Sequence, residues 1–272
     1  VSILTVDEEA CMVCGICEEV CPANYILMND AGPQEADGGR CIACGHCVAA
    51  CPSEALDNSR TPLAAQIPVR RELQWDAAGA RQFLRSRRSV RVYRQDQVSR
   101  EALTELLDVA RFAPTASNTQ SITFQVISGK ERLDRIWQAV IAWMEEQVAA
   151  SGGRGFSYLK LHIAAARRGK DTILRGAPHL ILALAPKQLT QHTARSNAEF
   201  VLAYAELYAP SLGLGTCWGG FVQHCGFSGY EPLLRELELP EGTQLAGAVM
   251  AGYPKYRYTR LVDRNPLEIS WK

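Results

Sequence analysis

The chain has no long apolar run. None of its stretches approaches the roughly 18 residues that a membrane-spanning helix needs, so no membrane partner is expected. It shows no secretory leader pattern: it opens VSILTVDEEACMVC, with acids and cysteines where a basic start and an apolar core belong. There is no Lys among the first 60 residues, against ten Asp or Glu and two Arg. A G-x-G-x-x-G following a strand is also missing, which argues against a Rossmann dinucleotide site. His162, His179, His192 and His224 match no nucleophile or metal pattern, and structural roles are expected for them. A reducing, cytoplasmic setting is expected.

What is present is an ordinary globular composition with an uneven layout. The 272 residues are 47% hydrophobic and 21% charged. Net charge is zero, yet residues 1–60 carry −8 and the remainder +8. An acidic part beside a basic part suggests docking or steering of a charged partner, and not a uniformly basic nucleic-acid binder.

The cysteines carry the sharpest signal. Eight of ten lie in the first 51 residues, in the runs CMVCGICEEVCP (11–22) and CIACGHCVAACP (41–52). Both fit C-x2-C-x2-C-x3-C-P, the iron–sulfur signature of bacterial proteins. Three thiolates two residues apart can wrap three irons of a cuboidal cluster from one loop, and the fourth iron must be reached from elsewhere. Gly15 and Gly45 allow the tight turn that aims backbone N–H groups at sulfur, and Pro22 and Pro52 end the loops. Zinc sites instead use pairs of cysteines, four ligands to one ion. The two runs form a 30-residue repeat, which predicts crossed ligation. One 4Fe–4S cluster is expected on Cys11, Cys14, Cys17 and Cys51, the other on Cys41, Cys44, Cys47 and Cys21. Residues 5–56 resemble a two-cluster bacterial ferredoxin. His46, inside the second loop, is expected to tune a cluster and not to ligate it. Cys217 and Cys225 are expected to be small core residues.

Residues 57–75 read as an extended connection. Beyond it helices alternate with strands. Asp76 is expected to cap a helix running through Phe83 and Leu84, and Ser99 one with the stripe Leu103, Leu106, Leu107 and Ala110. Strands are expected at 122–128, 179–185 and 245–253, and helices at 131–149, with Trp137 and Trp143 as core or cover residues, and at 192–212, ending or kinking at Pro210. The pattern is α+β or three-layered, not a regular βαβ series.

Three segments suit a polar, flat ligand. RRSVR (87–91) offers guanidinium forks and a hydroxyl to a phosphate. Seven Arg fall within 81–100, so a solvated basic face and a nucleic-acid patch are the competing readings; no nucleic-acid partner is expected, because these arginines are better used on a phosphate. APTASNTQ (113–120) is a loop of small hydroxyl and amide residues, and GLGTCWGG (213–220) allows close backbone approach.

Together with GAPHLILAL (176–184) and GYPKYR (252–257), these motifs resemble the nitroreductase family in order and spacing over residues 80–260. The resemblance implies a three-layer α/β/α domain with a mixed sheet, bound FMN, and a homodimer whose flavin sites draw on both subunits. It implies phosphate and ribityl binding by Arg87, Arg88, Ser89 and Arg91. Pro114, Thr115, Ala116, Asn118 and Gln120 would approach the flavin from the partner subunit. Trp218, Gly219 and Gly220 would lie against the ring near N5, and Lys255 and Arg257 would return to the phosphate, with Arg260 as a substitute for either. Many family members hold an acidic or a different small residue where this chain has Gly219 and Gly220, so their flavin and nicotinamide contacts do not carry over automatically. The stretch 141–175 is expected to cover the flavin.

The expected organisation is a two-cluster domain at 1–60, a linker at 61–78 and an FMN domain at 79–272. The expected function is FMN-dependent oxidoreduction, with electrons passing between clusters, FMN and a small organic acceptor such as a nitroaromatic, quinone or activated alkene. The donor would be a ferredoxin-like protein or NAD(P)H, and no catalytic side chain is assigned. The alternative is an electron-transfer or redox-sensing protein without small-molecule turnover.

Overall fold

A computed structural model describes residues 2–152 and 156–272. Contacts group the chain into two units, one of Val1–Gln74 with Ser117–Thr119, the other of Trp75–Ala116 with Gln120–Lys272.

The first unit is built twice on one plan. Strand β1 (Leu4–Val6), helix α1 (Ile16–Glu19), strands β2 (Ile26–Asn29) and β3 (Gly32–Glu35), helix α2 (His46–Ala49) and strand β4 (Leu56–Asn58) follow in order. β1 pairs antiparallel with β4, and β2 with β3. The repeat is visible in the backbone itself. Left-handed conformations recur thirty residues apart at Val13 and Ala43, at Gly15 and Gly45, and at Asn24 and Glu54. Each single-turn helix therefore starts from a left-handed glycine, as the motif requires. The buried hydrophobic cluster is small, consisting of Ile26, Cys47, Val48 and Leu56. Glu35 ties down the start of the chain: its Oε1 accepts from Ser2 Oγ and from the Ile3 and Leu4 amides, and its Oε2 from Tyr25 Oη at 2.7 Å. Those donors, Tyr25 foremost, hold its carboxyl down at about 2. Residues 57–75 are less extended than expected, with 3-10 turns at Leu63–Ala65 and Arg71–Leu73.

The second unit is layered. Helices α3 (Ala77–Ser86) and α4 (Arg100–Ala110) precede strand β5 (Thr123–Ser128) and helices α5 (Lys130–Ala150) and α6 (Ser157–Ala166). Strand β6 (His179–Pro186), helix α7 (Gln191–Tyr208), strand β7 (Gly215–Trp218), helices α8 (Gly220–Phe227) and α9 (Glu231–Leu237) and strand β8 (Thr243–Gly252) complete it. The sheet order is β5-β6-β8-β7, with every pairing antiparallel. A parallel bridge from Ser89 to Thr216 makes the sheet mixed.

β6 shows why the domain has three layers. Leu180, Leu182 and Leu184 enter one apolar cluster, with Ile136, Val140 and Met144 of α5 and Leu233 of α9. Ile181, Ala183 and Ala185 enter the other, with Leu106 of α4 and Val201, Leu202 and Ala205 of α7. Alternation along a strand sends successive side chains to opposite faces, so a continuous apolar run buries both. The expected caps are made: Asp76 Oδ1 accepts from the Gly79 amide at 2.7 Å, and Ser99 Oγ from the Ala102 amide at 3.1 Å. α7 ends at Tyr208, and Pro210 falls in a following 3-10 turn. Among the described residues no helix is long and apolar enough to cross a membrane.

Candidate functional site: a thiol constellation and two cation-lined cavities

In the first unit Cys21 lines the same enclosed space as Cys41, Cys44 and Cys47, although it lies in the other run. Cys17 feels Cys14 and Cys11 as its charged neighbours. Those four thiols surround a space and do not close on a point: among the described residues, no three His, Cys, Asp or Glu side chains are grouped to hold a single ion. An all-sulfur donor set spread around a space suits a polynuclear iron–sulfur core.

Electrostatics point the same way. Burial, with neighbouring cysteines adding to it, pushes the Cys17 and Cys47 thiols up. Ionising several of them together therefore calls for positive charge at the centre, which an iron core supplies. Backbone amides already face the sulfurs. The Ala43 amide donates to Cys41 Sγ at 3.3 Å and the Tyr25 amide to Cys21 Sγ at 3.2 Å. Burial also raises Cys51, but hydrogen bonds from the Leu56, Ala55 and Ser53 amides and the Ser53 hydroxyl outweigh it and hold that thiol below its ordinary value. His46 is exposed at the start of α2.

In the second unit three of the quoted motifs are bonded into one patch. The Val90 amide donates to the Thr216 carbonyl at 2.8 Å, the Arg94 amide to the Tyr253 carbonyl at 2.9 Å, and the Lys255 amide to the Val92 carbonyl at 3.0 Å. Gly215 permits this approach, because a Cβ there would lie 2.5 Å from Val90 Cγ2. The glycine-rich segment is thus partly the edge strand β7, and the close approach that Gly215 allows is to Val90.

Two cavities border the extended segment at 87–91. One, of about 460 Å³, is lined by Arg88, Val90, Arg94, Glu206, Tyr253 and Arg257 among others. The other, of about 470 Å³, takes in Arg91, Arg175, Cys217, Trp218, Gly220 and the rings of Trp143, Phe156, Tyr158 and Phe221. The expected flavin binders are therefore divided: Arg88 and Arg257 line one space, Arg91, Trp218 and Gly220 the other. Burial pushes the Cys217 thiol up, while Arg91 opposes. Gly219 sits tightly, its amide donating to the Ala248 carbonyl at 2.8 Å, where a Cβ would come within 3.1 Å of that oxygen.

Arg88 gives the test of fit for an anionic group. Its Nε and Nη2 are buried with no partner among the described residues, and only Nη1 donates, to the Arg87 carbonyl at 3.4 Å. A buried guanidinium with idle donors, lining a cavity, suits a phosphate. The aromatic-walled space with two arginines and no carboxylate among its lining residues suits a flat heterocycle.

The loop at 113–120 is divided as well. The Ala116 amide donates to Asn197 Oδ1 at 2.9 Å, and Thr115 Oγ1 accepts from the Gln120 amide at 3.0 Å. Ser117–Thr119 belong with the first unit, where Asn118 Nδ2 donates to the carbonyls of Ile42 and Ala43 at 3.0 and 2.8 Å. Pro114, Thr115, Ala116 and Gln120 line neither cavity. Lys255 Nζ lies over the Tyr256 ring at 5.7 Å. Of the stretch 141–175, residues 153–155 fall outside the described ones.

Sequence reasoning missed Glu206 and Arg175. Glu206 extends the apolar stripe of α7, four residues past Leu202, and an acid there is the signal that was available. Burial pushes its carboxyl up, against Arg87 at 3.8 Å and a hydrogen bond from Thr216 Oγ1 at 3.2 Å. Arg175 occupies a left-handed backbone position, φ 59°, before Gly176, with no side-chain pattern to mark it.

A sheet flanked by helices on both faces, with a cation-lined, aromatic-walled cavity at its β7 edge, defines a flavoprotein-like α+β domain preceded by a small thiol-rich one. Residues 84–253 match the model of the nitroreductase family, and residues 3–52 that of the 4Fe–4S dicluster domain. The chain belongs to the nitroreductase family. It is 38% identical over 73 residues to the nitroreductase NfnB of Mycolicibacterium smegmatis, covering 26% of this chain and 31% of that protein. The chain thus spans about a third of the length of that curated relative. A nitroreductase with bound FMN from Desulfitobacterium hafniense shares the fold at a TM-score of 0.55 and 20% identity, over 70% of this chain and 97% of that one. So does an FMN- and NADPH-dependent nitroreductase from a Sphigopyxis strain, with a TM-score of 0.53 and 21% identity over 71% and 98%.

Proposed function

We propose that the chain is an FMN-dependent oxidoreductase that passes electrons between two 4Fe–4S clusters, FMN and a small organic acceptor such as a nitroaromatic, quinone or activated alkene. One observation carries the reading: the same chain holds eight thiols in a twofold repeat and, on a nitroreductase-family fold, a half-buried arginine with two idle inner donors on one cavity and an aromatic-walled cavity across the same segment. Clusters supply single-electron steps, and FMN converts between these and paired-electron or hydride transfer.

The chain's own residues supply binding, orientation and shielding. Arg88, with Arg257 on the same cavity, neutralises a phosphate. Arg91 holds the polar side of a flat ring, with Ser89 next to it in the chain, and Trp218 with Gly220 offers it a close surface. Phe156, Tyr158 and Phe221 would cover a ring seated in that space. Arg175 adds a second positive charge, which favours an electron-rich or anionic ligand. The organisation we propose is 1–60 for the clusters, 61–78 as connection and 79–272 for FMN, in a homodimer, located in the cytoplasm. NAD(P)H or a ferredoxin-like protein is the external donor; the relative from the Sphigopyxis strain is described as NADPH-dependent.

Anaerobically purified protein is expected to contain one FMN, eight irons and eight sulfides per chain. Reduced ferredoxin, added stoichiometrically, is expected to bleach the flavin absorbance, and a nitroaromatic to restore it. A flavin that stays oxidised beside reduced clusters refutes the relay. A reduced flavin that no organic acceptor reoxidises refutes the enzyme reading in favour of electron transfer alone.

A further inference from the structure

Each residue of one half of the first unit has a counterpart thirty places on, and two such pairs differ in a way that bears on the sulfurs. Met28 of β2 and Asn58 of β4 are one pair. Met28 Sδ lies 3.8 Å from Cys17 Sγ, whereas Asn58 Nδ2 donates to Cys41 Sγ at 3.7 Å. Asn58 is 1% exposed, and its amide orientation is settled by its own oxygen, which accepts from the Arg60 amide at 3.0 Å. Ala23 and Ser53 are the second pair. Ser53 Oγ lies 3.8 Å from Cys51 Sγ, and its counterpart has no hydroxyl. A sulfur bound to iron can only accept, so the hydroxyl is the donor there.

In both pairs the second half supplies a side-chain donor where the first half has none. Crossed ligation sends the two donors to different places. Asn58 reaches a sulfur of the set Cys21, Cys41, Cys44 and Cys47, and Ser53 one of the set Cys11, Cys14, Cys17 and Cys51.

We propose that Asn58 and Ser53 are positioning residues that set the reduction potentials of the two clusters separately, one side chain to each. The inference rests on the two-cluster reading above. Its physics is a difference between redox states. Reduction adds a negative charge that spreads onto the sulfurs, so an N–H or O–H donor stabilises the reduced cluster more than the oxidised one and raises its potential. A turn-forming role alone does not account for Asn58. The turn uses only its oxygen, and the N–H that faces Cys41 contributes nothing to it.

The test is a potentiometric titration of the anaerobic, full-length holoprotein, followed by electron paramagnetic resonance, on variants that swap counterparts. Asn58→Met is expected to lower one potential by about tenfold in the one-electron equilibrium, or about 59 mV. Ser53→Ala is expected to lower the other by about threefold, or about 28 mV on the same constant. The reverse swaps, Met28→Asn and Ala23→Ser, are expected to raise potentials and decide the matter if the first pair does not fold. Variants that keep full iron and sulfide yet leave both potentials unmoved overturn the proposal. So does a result in which Asn58→Met and Ser53→Ala move the same potential. Wild-type protein lacking eight irons and eight sulfides fails the two-cluster reading instead, and the two failures are told apart by that analysis.

Discussion

The two units are held together by different means. In the second, β6 alone buries residues into two apolar clusters, one on each face of the sheet. In the first, the buried cluster is Ile26, Cys47, Val48 and Leu56, and one of those four is itself a proposed ligand. A unit of about 70 residues with so little apolar burial is of the size that needs a metal centre or another staple. The comparison teaches that the same chain spends its cysteines where its hydrophobic residues run short. Burial sustains the second unit, and on the two-cluster reading ligation would sustain the first.

The largest effect should therefore come from the smallest core. Cys21→Ala is expected to abolish one cluster and, because Cys21 would tie the first run to the second, to leave the unit without its staple. Limited proteolysis should then cut freely within residues 2–74 and spare the remainder, with iron falling by half or more. If β2 and β4 stay protected in the iron-depleted variant, the unit stands on burial and the contrast collapses. Next in size is Leu182→Ala, which opens a hole in the centre of the sheet. It should cost about 2–5 kcal/mol in thermal or denaturant unfolding of the second unit and leave iron content unchanged. A third change sits at the candidate flavin site. Gly215→Ala puts a methyl against Val90 and is expected to cost about 1–3 kcal/mol and to loosen the segment at 87–91, weakening FMN about tenfold by fluorescence titration. Ser99→Ala should cost only about 1 kcal/mol, the worth of one helix cap, read as a small drop in the unfolding midpoint of the second unit.

How much of this was legible depended on the kind of information involved. Ligand spacing is local, so the cysteine runs, their glycine turns and the 30-residue repeat could be read directly, and Gly15 and Gly45 are left-handed as that spacing requires. Apolar periodicity is local too, which is why α4, α5, β6 and β8 fall close to where alternation and the 3.6-residue stripe place them. What escaped was long-range. β7 is four residues long and half of its motif is glycine, so nothing local distinguishes an edge strand from a loop; its identity comes from Val90 and β8. The division of Arg88 and Arg91 between two cavities follows from alternation along an extended segment, a fact visible only once that segment is known to lie along β7. Asn58 carries no motif, and only the fold brings it to Cys41; Ser53 stands two residues from Cys51, but no motif marks its hydroxyl.

The subtlest prediction concerns a slope and not a level. Glu206 lies half-buried in the second unit, with Arg87 at 3.8 Å and the Thr216 hydroxyl as partners, yet burial of its carboxyl dominates and raises it above the ordinary carboxylate value. The folded protein therefore holds that proton more tightly than the unfolded chain does. Stability from this residue is greatest at pH values below the unfolded pKa and is lost as pH rises through the folded one. Gln cannot titrate, so Glu206→Gln should gain on the wild type as pH rises from about 4.5 upward, the difference in unfolding midpoint widening toward neutrality. A difference that stays flat, or narrows, means that the Arg87 pair outweighs the cost of burial. In that case the cavity beside Arg88 holds a charge that the fold stabilises, and its idle guanidinium donors would face a compensated carboxylate, making the site less attractive to a phosphate.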